Sequence, residues 1–354
     1  MNDQLSQKLK ALSFAAIILV VFIHSYNEEI NFVSGELTGG KSYSVLFVEN
    51  FISKGIARIA VPLFFLISGF LFYLSFNFTV SGILDKYKKR LKSLVVPYLF
   101  WSVFGLLLEL FLQSLPWSRN FFTRELIADY SFSKLVNTIL VDPITYQLWF
   151  IRDLIMLVMF SPIIWYLTTS TKGKWILILV VFWYLRPKTF ELFSNEGLLF
   201  FTLGCFFAGN KTRLVLSKGV AGYSWYYLIA WLFIVFLNTR LLIVNGETIM
   251  LNVLNNTGIL IGILAVWSLY DRFDHERIMK YSELFAYSFM IFVFHEPLLA
   301  ILKKGMFYLY GKTDFSSLMI YLLAPLSAIG ISMILRFLWK KYSFTSYAFA
   351  TGGR

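Results

Sequence analysis

Four short stretches put ionisable side chains inside apolar surroundings. His24 ends the run Ala11-Leu12-Ser13-Phe14-Ala15-Ala16-Ile17-Ile18-Leu19-Val20-Val21-Phe22-Ile23. Arg58 opens Arg58-Ile59-Ala60-Val61-Pro62-Leu63-Phe64-Phe65, Arg152-Asp153 interrupts Leu148-Trp149-Phe150-Ile151, and His295-Glu296 follows Ile291-Phe292-Val293-Phe294 and precedes Pro297. Imidazole takes and gives a proton near neutral pH, and the chain holds only three histidines, so His24 is the first candidate for a general base. An ionisable group at membrane depth loses several kcal/mol of hydration unless it pairs or meets water, which makes a functional reading the default. A polar cavity shared by the four stretches would meet that need.

The rest of the chain supplies the apolar setting. Its 354 residues are 58% hydrophobic and 19% aromatic with only 15% charged, and mean hydropathy is +0.68. A soluble domain is nearer a quarter charged, so the composition predicts an all-α polytopic membrane protein. Net charge is +12, but the basic residues sit in short loops between apolar runs, where they set topology; nucleic acid is not an expected partner. The single cysteine, Cys205, excludes an internal disulfide and a cysteine-rich metal centre, and is expected only to pack. No metal is expected.

Turn and charge clusters divide the chain into about ten spans, near 11–27, 57–78, 93–114, 147–169, 174–186, 197–210, 223–244, 253–270, 284–302 and 318–339. Helices are required, because backbone groups in lipid must find their partners within the chain. Lys8 and Lys10 precede the first span as in a signal peptide, but no small-residue cleavage site follows, so it reads as an uncleaved first span. With the N-terminus inside, inner segments carry nineteen lysines and arginines and outer segments ten, which predicts both termini cytoplasmic. His24 then lies roughly 18 Å from the inner boundary. Neither a linker nor an internal repeat is visible, so residues 1–354 read as one membrane domain.

Each residue also has a plainer reading. Arg58 suits snorkelling to the outer headgroups. Arg152 and Asp153 suit an interfacial ion pair, and Glu109 an interfacial position. Glu296 suits a helix kink at Pro297, where freed backbone groups want partners. His24 suits a packed imidazole bonded to a carbonyl. Lys86-Tyr87-Lys88-Lys89-Arg90-Leu91-Lys92 suits a topological anchor, or a seat for phosphates through charge-assisted bonds.

In these residues the chain resembles the acyltransferase family 3 membrane proteins, which O-acylate bacterial surface carbohydrates. The first span ending in His24-Ser25 resembles that family's catalytic first helix. Residues 58–72, RIAVPLFFLISGFLF, are similar to its arginine, Val-Pro-Leu-Phe-Phe and Ser-Gly signature. Lys89-Arg90-Leu91 with Val96-Pro97-Tyr98 and Trp101 resembles the basic turn entering the third helix. Leu148-Trp149-Phe150 and Ser161-Pro162 resemble the fourth, and Phe294-His295-Glu296-Pro297 resembles a late His-x-Pro helix. One position departs: many members carry an arginine about eleven residues before the first-helix histidine, where this chain has Ser13. Lys10 offers a point charge one turn earlier but lacks the guanidinium fork. The short chain is most similar to the stand-alone branch that includes the enterobacterial common antigen O-acetyltransferase.

The resemblance implies cytoplasmic acetyl-CoA as donor, a glycan or lipid-linked sugar as acceptor, and the bacterial inner membrane as location. It implies His24 as base or acyl relay and Arg58 as its catalytic companion, binding phosphate, steadying the oxyanion or orienting a carboxylate. Trp149, Arg152, Asp153, His295 and Glu296 would serve the substrate, and Lys89 and Arg90 the coenzyme. Membrane lipid is an implied partner, and a homo-oligomer stays open. On physical grounds alone, a transporter or flippase for a carbohydrate or lipid-linked intermediate would also use buried charges and helices broken at Pro62, Pro162 and Pro297.

Overall fold

Proline removes a backbone donor and crowds the preceding turn, so at its positions an α-helix starts, bends or leaves a carbonyl in need of another donor. The computed structural model describes residues 3–26, 31–32, 35–36, 41–74, 78–118, 122, 125–169, 173–185, 193–209, 221–273 and 275–353. Among these the protein is helical apart from a two-residue antiparallel pair, Asn31–Phe32 with Gly35–Glu36. Six helices are long and apolar enough to cross a membrane: α1 (Asp3–Ser25), α2 (Tyr43–Tyr73), α3 (Val80–Ser114), α8 (Ser224–Asn245), α9 (Ile249–Tyr270) and α11 (Asp314–Tyr342). A seventh span results if α4 (Tyr146–Met159) and α5 (Ser161–Thr169), bent by 61° at their junction, count as one. The chain is a multi-pass membrane protein.

Three of the ten expected segments differ from these in kind. The helices α6 (Gly173–Tyr184) and α7 (Asn195–Ala208) have 12 and 14 residues. Their lengths of about 18 and 21 Å fall short of a hydrocarbon core about 30 Å thick. The tenth helix, α10 (Ser288–Tyr310), has 23 residues and is long enough, but Glu296, Lys303 and Lys304 make it too polar to stand with the six on composition. Nine basic residues in the orientation count (Arg119, Arg124, Lys172, Arg186, Lys188, Lys211, Arg213, Lys218 and Arg354) lie outside the described residues.

Proline accounts for the local irregularities. Pro62 begins a regular α-helix, Ala60–Tyr73, after a π turn at Asn50–Gly55 and a 3-10 turn at Ile56–Ile59. Pro97 begins Val96–Ser114 after the π turn Leu91–Val95. Pro162 lies just past the α4–α5 bend, where a missing N–H and a steric clash are the usual causes of a sharp kink.

The described chain forms two compact units. The first comprises Met1–Val20, Asn50–Arg90 and Asp153–Ser288, and the second Val21–Glu49, Leu91–Arg152 and Phe289–Arg354. In the first, α2 and α7 approach so closely that a Cβ on Gly69 would lie 2.3 Å from the Phe201 carbonyl oxygen. A Cβ on Gly204 would lie 2.3 Å from that of Leu66. Small residues give this contact in membrane helices, where packing rather than hydrophobic burial drives association. Helices α8 and α9 form a hairpin turned at Gly246, whose φ of 70° favours glycine. Cys205 is buried with its Sγ 3.1 Å from the Thr168 hydroxyl, in a packing position. Lys8, 3% exposed, bonds Asp271 at 2.6 Å and lies over the Trp267 ring. It, rather than exposed Lys10, is the buried cation of this part of α1.

In the second unit Trp101, 1% exposed, donates its indole N–H to the Ala350 carbonyl at 2.9 Å and meets Phe294 edge-on. This ties α3 to the C-terminal helix Phe344–Thr351 and to the face of α10 beside His295.

Candidate active site

The last carbonyls of an α-helix lack intrahelical donors. At the end of α1 they are met by Lys303, whose ammonium donates to the carbonyls of His24 at 3.3 Å and Tyr26 at 2.7 Å. A cation there also complements the negative end of the helix dipole. Ser25 donates its hydroxyl to the carbonyl of Tyr321 at 2.8 Å. That carbonyl lies four residues before Pro325, so it is the one whose usual helical donor is missing. Phe22 packs edge-on against the Tyr321 ring. The backbone carrying His24 is thereby fixed by α10 and α11.

The same logic holds α10. Pro297 cannot bond the carbonyl of Val293, and the Gln147 side-chain amide supplies the donor at 2.9 Å. The kink partner expected of Glu296 is thus Gln147. Its replacement by leucine is expected to strand a buried carbonyl, destabilising the protein by about 1–3 kcal/mol. A lower thermal-unfolding midpoint in detergent would register this.

His295 is fully buried, with Nδ1 3.0 Å from the Ile291 carbonyl and 2.7 Å from that of Phe292. Carbonyls only accept, so Nδ1 carries the proton of the neutral ring and Nε2 the lone pair. No hydrogen-bond partner for Nε2 occurs among the described residues. The His24 ring lies 5.2 Å from that of His295 and 6.1 Å from Tyr146, centroid to centroid. His24 Nδ1 lies 3.6 Å from Glu296 Oε2, a distance for charge pairing rather than a formed hydrogen bond. The carboxylate favours a proton on Nδ1, so the lone pair of the neutral ring is on Nε2. Lys41 and Glu49 form a buried pair at 2.6 Å, with Lys41 over the Tyr26 ring. Two carboxylates, Glu49 and Glu296, therefore balance two ammonium groups, Lys41 and Lys303, and the low-dielectric cost of each charge is shared.

A divalent metal is the other tenant such a set suggests. A nitrogen of each histidine and an oxygen of Glu296 lie within 4.8 Å of one another. Zinc bonds of about 2.1 Å put tetrahedral ligands about 3.4 Å apart, so the trio would have to draw in to hold that ion.

The remaining sequence candidates have other local partners. Arg58, in the first unit, donates to Glu196 Oε1 at 2.9 Å and is 36% exposed. Glu196 sits in the first turn of α7, whose N-cap Ser194 accepts the Gly197 N–H at 3.0 Å. Fully buried Asp153 accepts the Ser194 N–H at 2.8 Å, so it braces the cap that aims Glu196. Arg152 donates to the Val141 carbonyl at 2.8 Å, and Trp149 is half-buried at the start of α4. Lys86 donates to the Phe72 carbonyl at 3.0 Å, and the Arg90 guanidinium lies 5.4 Å from the Phe72 ring. These two close the C-terminal end of α2, while Lys88, Lys89 and Lys92 remain exposed.

Sequence reasoning missed Lys303, Gln147, Tyr146 and Glu196. Lys303 was legible in part: seven residues after Glu296, it shares a helix face with it. Gln147 becomes meaningful only beside the carbonyl that Pro297 frees, which no local pattern discloses.

Neither a curated relative nor a solved structure matches the chain. A family model described as an acyltransferase domain, Acyl_transf_3, matches residues 9–337 and runs through both compact units. With nearly its whole length so matched, the chain belongs to the acyltransferase family 3 membrane proteins and is an acyltransferase.

Proposed function

We propose that the protein moves an acetyl group from cytoplasmic acetyl-CoA to a hydroxyl of a cell-surface or lipid-linked carbohydrate. In this reading it is one ten-span domain of the bacterial inner membrane with both termini cytoplasmic, close to the stand-alone O-acetyltransferases. The observation that carries the site is the meeting of His24 with Glu296, 3.6 Å apart, although 272 positions of sequence separate them.

His24 Nε2 takes the proton of the acceptor hydroxyl as its oxygen attacks the thioester carbonyl. The carbon–sulfur bond breaks, and the departing thiolate receives the proton, giving free CoA and an O-acetyl ester. Acyl transfer of this kind needs a base and donors for the developing oxyanion. Glu296 steadies the imidazolium that forms. Exposed Lys89 and half-buried Arg90 offer cationic groups for the coenzyme phosphates, and Arg58 is the further catalytic residue, held by Glu196. Trp149 and Arg152 serve the acceptor, and no step calls for a metal.

The test is purified protein in lipid vesicles with labelled acetyl-CoA and a panel of candidate glycans. Label on a glycan hydroxyl, with CoA release that requires acceptor, supports the reading. Movement of glycan across the bilayer without consumption of acetyl-CoA would replace it with a transporter.

A further inference from the structure

The trio contains more acceptors than donors. His295 Nε2 and Glu296 Oε2 are both buried without a hydrogen-bond partner among the described residues. Two helical carbonyls fix the His295 tautomer so that Nε2 can only accept. An unsatisfied buried acceptor is costly, and a second one beside it would serve no packing purpose. Both sit next to the one ring, His24, that gains an N–H when it acts as a base. With the resting proton of His24 on the Nδ1 that faces Glu296, Nε2 has none to give to His295, and the protonated ring gains one. Groups satisfied only as the reaction proceeds lower its barrier without tightening the ground state.

We propose that His295 is a positioning residue whose Nε2 lone pair receives and shares the proton that His24 takes from the acceptor hydroxyl. The inference rests on His24 being the base. Its proton balance is that of the reaction itself: the hydroxyl proton enters His24, is shared as N–H···N with His295, and leaves on the thiolate. Among the described residues, the titratable and charged groups facing the pair include Glu296 and Lys303 from α10 and Tyr146 from the turn that opens α4, with Glu49 and Lys41 facing Lys303 in turn.

Three proteins test it in the vesicle assay: wild type, His295→Phe, which keeps a ring but removes the acceptor, and His295→Gln, which restores an acceptor oxygen. Loss of an acid–base partner is expected to lower kcat about 100-fold in His295→Phe, with little change in KM for acetyl-CoA and partial recovery in His295→Gln. The acid limb of the kcat/KM profile should move to lower pH in His295→Phe, because His24 loses an acceptor that favours its protonated form. An unchanged limb, whatever the activity, overturns the proposal and leaves a structural role.

Nitrogen-15 labelling of histidine gives a readout that survives poor folding of either variant, since only three histidines contribute. Wild-type protein should show a pyrrole-type Nδ1 and a pyridine-type Nε2 at His295, the latter shifting as His24 titrates. The opposite tautomer, or independent titration, overturns it. So does activity lost to a chelator and restored by zinc. A His24→Ala variant that keeps activity would instead remove the reading beneath the proposal, an outcome distinct from failure at His295.

Discussion

Alanine at position 24 is expected to reduce acetyl transfer by about 10²- to 10⁴-fold, the usual contribution of a general base. The protein should nevertheless fold, because Lys303 bonds the backbone carbonyls of His24 and Tyr26, which alanine retains. The Ser25 bond to Tyr321 is likewise untouched. The measurement is CoA release by wild type and variant at matched amounts of monodisperse protein in lipid. Wild-type turnover in the variant would remove His24 from the chemistry. Turnover lost together with the folded population would show a structural role instead.

A leucine at Gly204 is expected to have the larger effect on the protein itself. Any Cβ there would stand 2.3 Å from the Leu66 carbonyl oxygen and 2.6 Å from the Phe70 nitrogen. Both are backbone atoms inside a helix and cannot swing aside as a side-chain end does. The two helices would have to separate, which would unpack some of the most buried side chains of the first unit, including Phe65, Phe70 and Phe201. Over-packing of a tight interior ordinarily costs about 1–3 kcal/mol, and a branched side chain against backbone should exceed that. Size-exclusion profiles in mild detergent should lose the monodisperse peak. Gly330 serves as the control, since a Cβ there meets nothing within 4 Å. Alanine at 330 should leave the profile intact.

His24, His295 and Glu296, which the structure brings together, stand out in the sequence as ionisable groups in apolar spans, and so do Arg58 and Asp153, which it places elsewhere. What the sequence could not supply was their pairing. Arg58 and His24 looked like companions by depth, yet the bond Arg58 makes is to Glu196, a residue at a helix start where an acidic group is unremarkable. Asp153 looked like a substrate ligand or an ion-pair partner of Arg152, and it braces an N-cap. Both outcomes depend on which helix ends meet, a matter of tertiary packing. The helical class and the interruptions near Pro62 and Pro162 followed from composition and backbone chemistry, whereas the break expected at Pro297 does not occur: Ser288–Tyr310 is one helix with that proline inside it, its freed carbonyl met by Gln147. The separation of short helices such as α6 and α7 from full-length ones did not follow, because hydropathy alone does not measure length in space.

The carbonyls freed by Pro297 and Pro325 carry a further consequence for assembly. Each proline marks one position on its helix with an acceptor that nothing in the surrounding hydrocarbon can satisfy. Gln147 and Ser25 each answer one such mark. A neighbouring helix that slid by a single turn, about 5.4 Å, would keep most of its interchangeable apolar packing, yet leave the mark unanswered. The prolines thus act as a vernier: they make one alignment of smooth, greasy helices distinguishable from the next, and the alignment selected is the one that brings His24 level with His295.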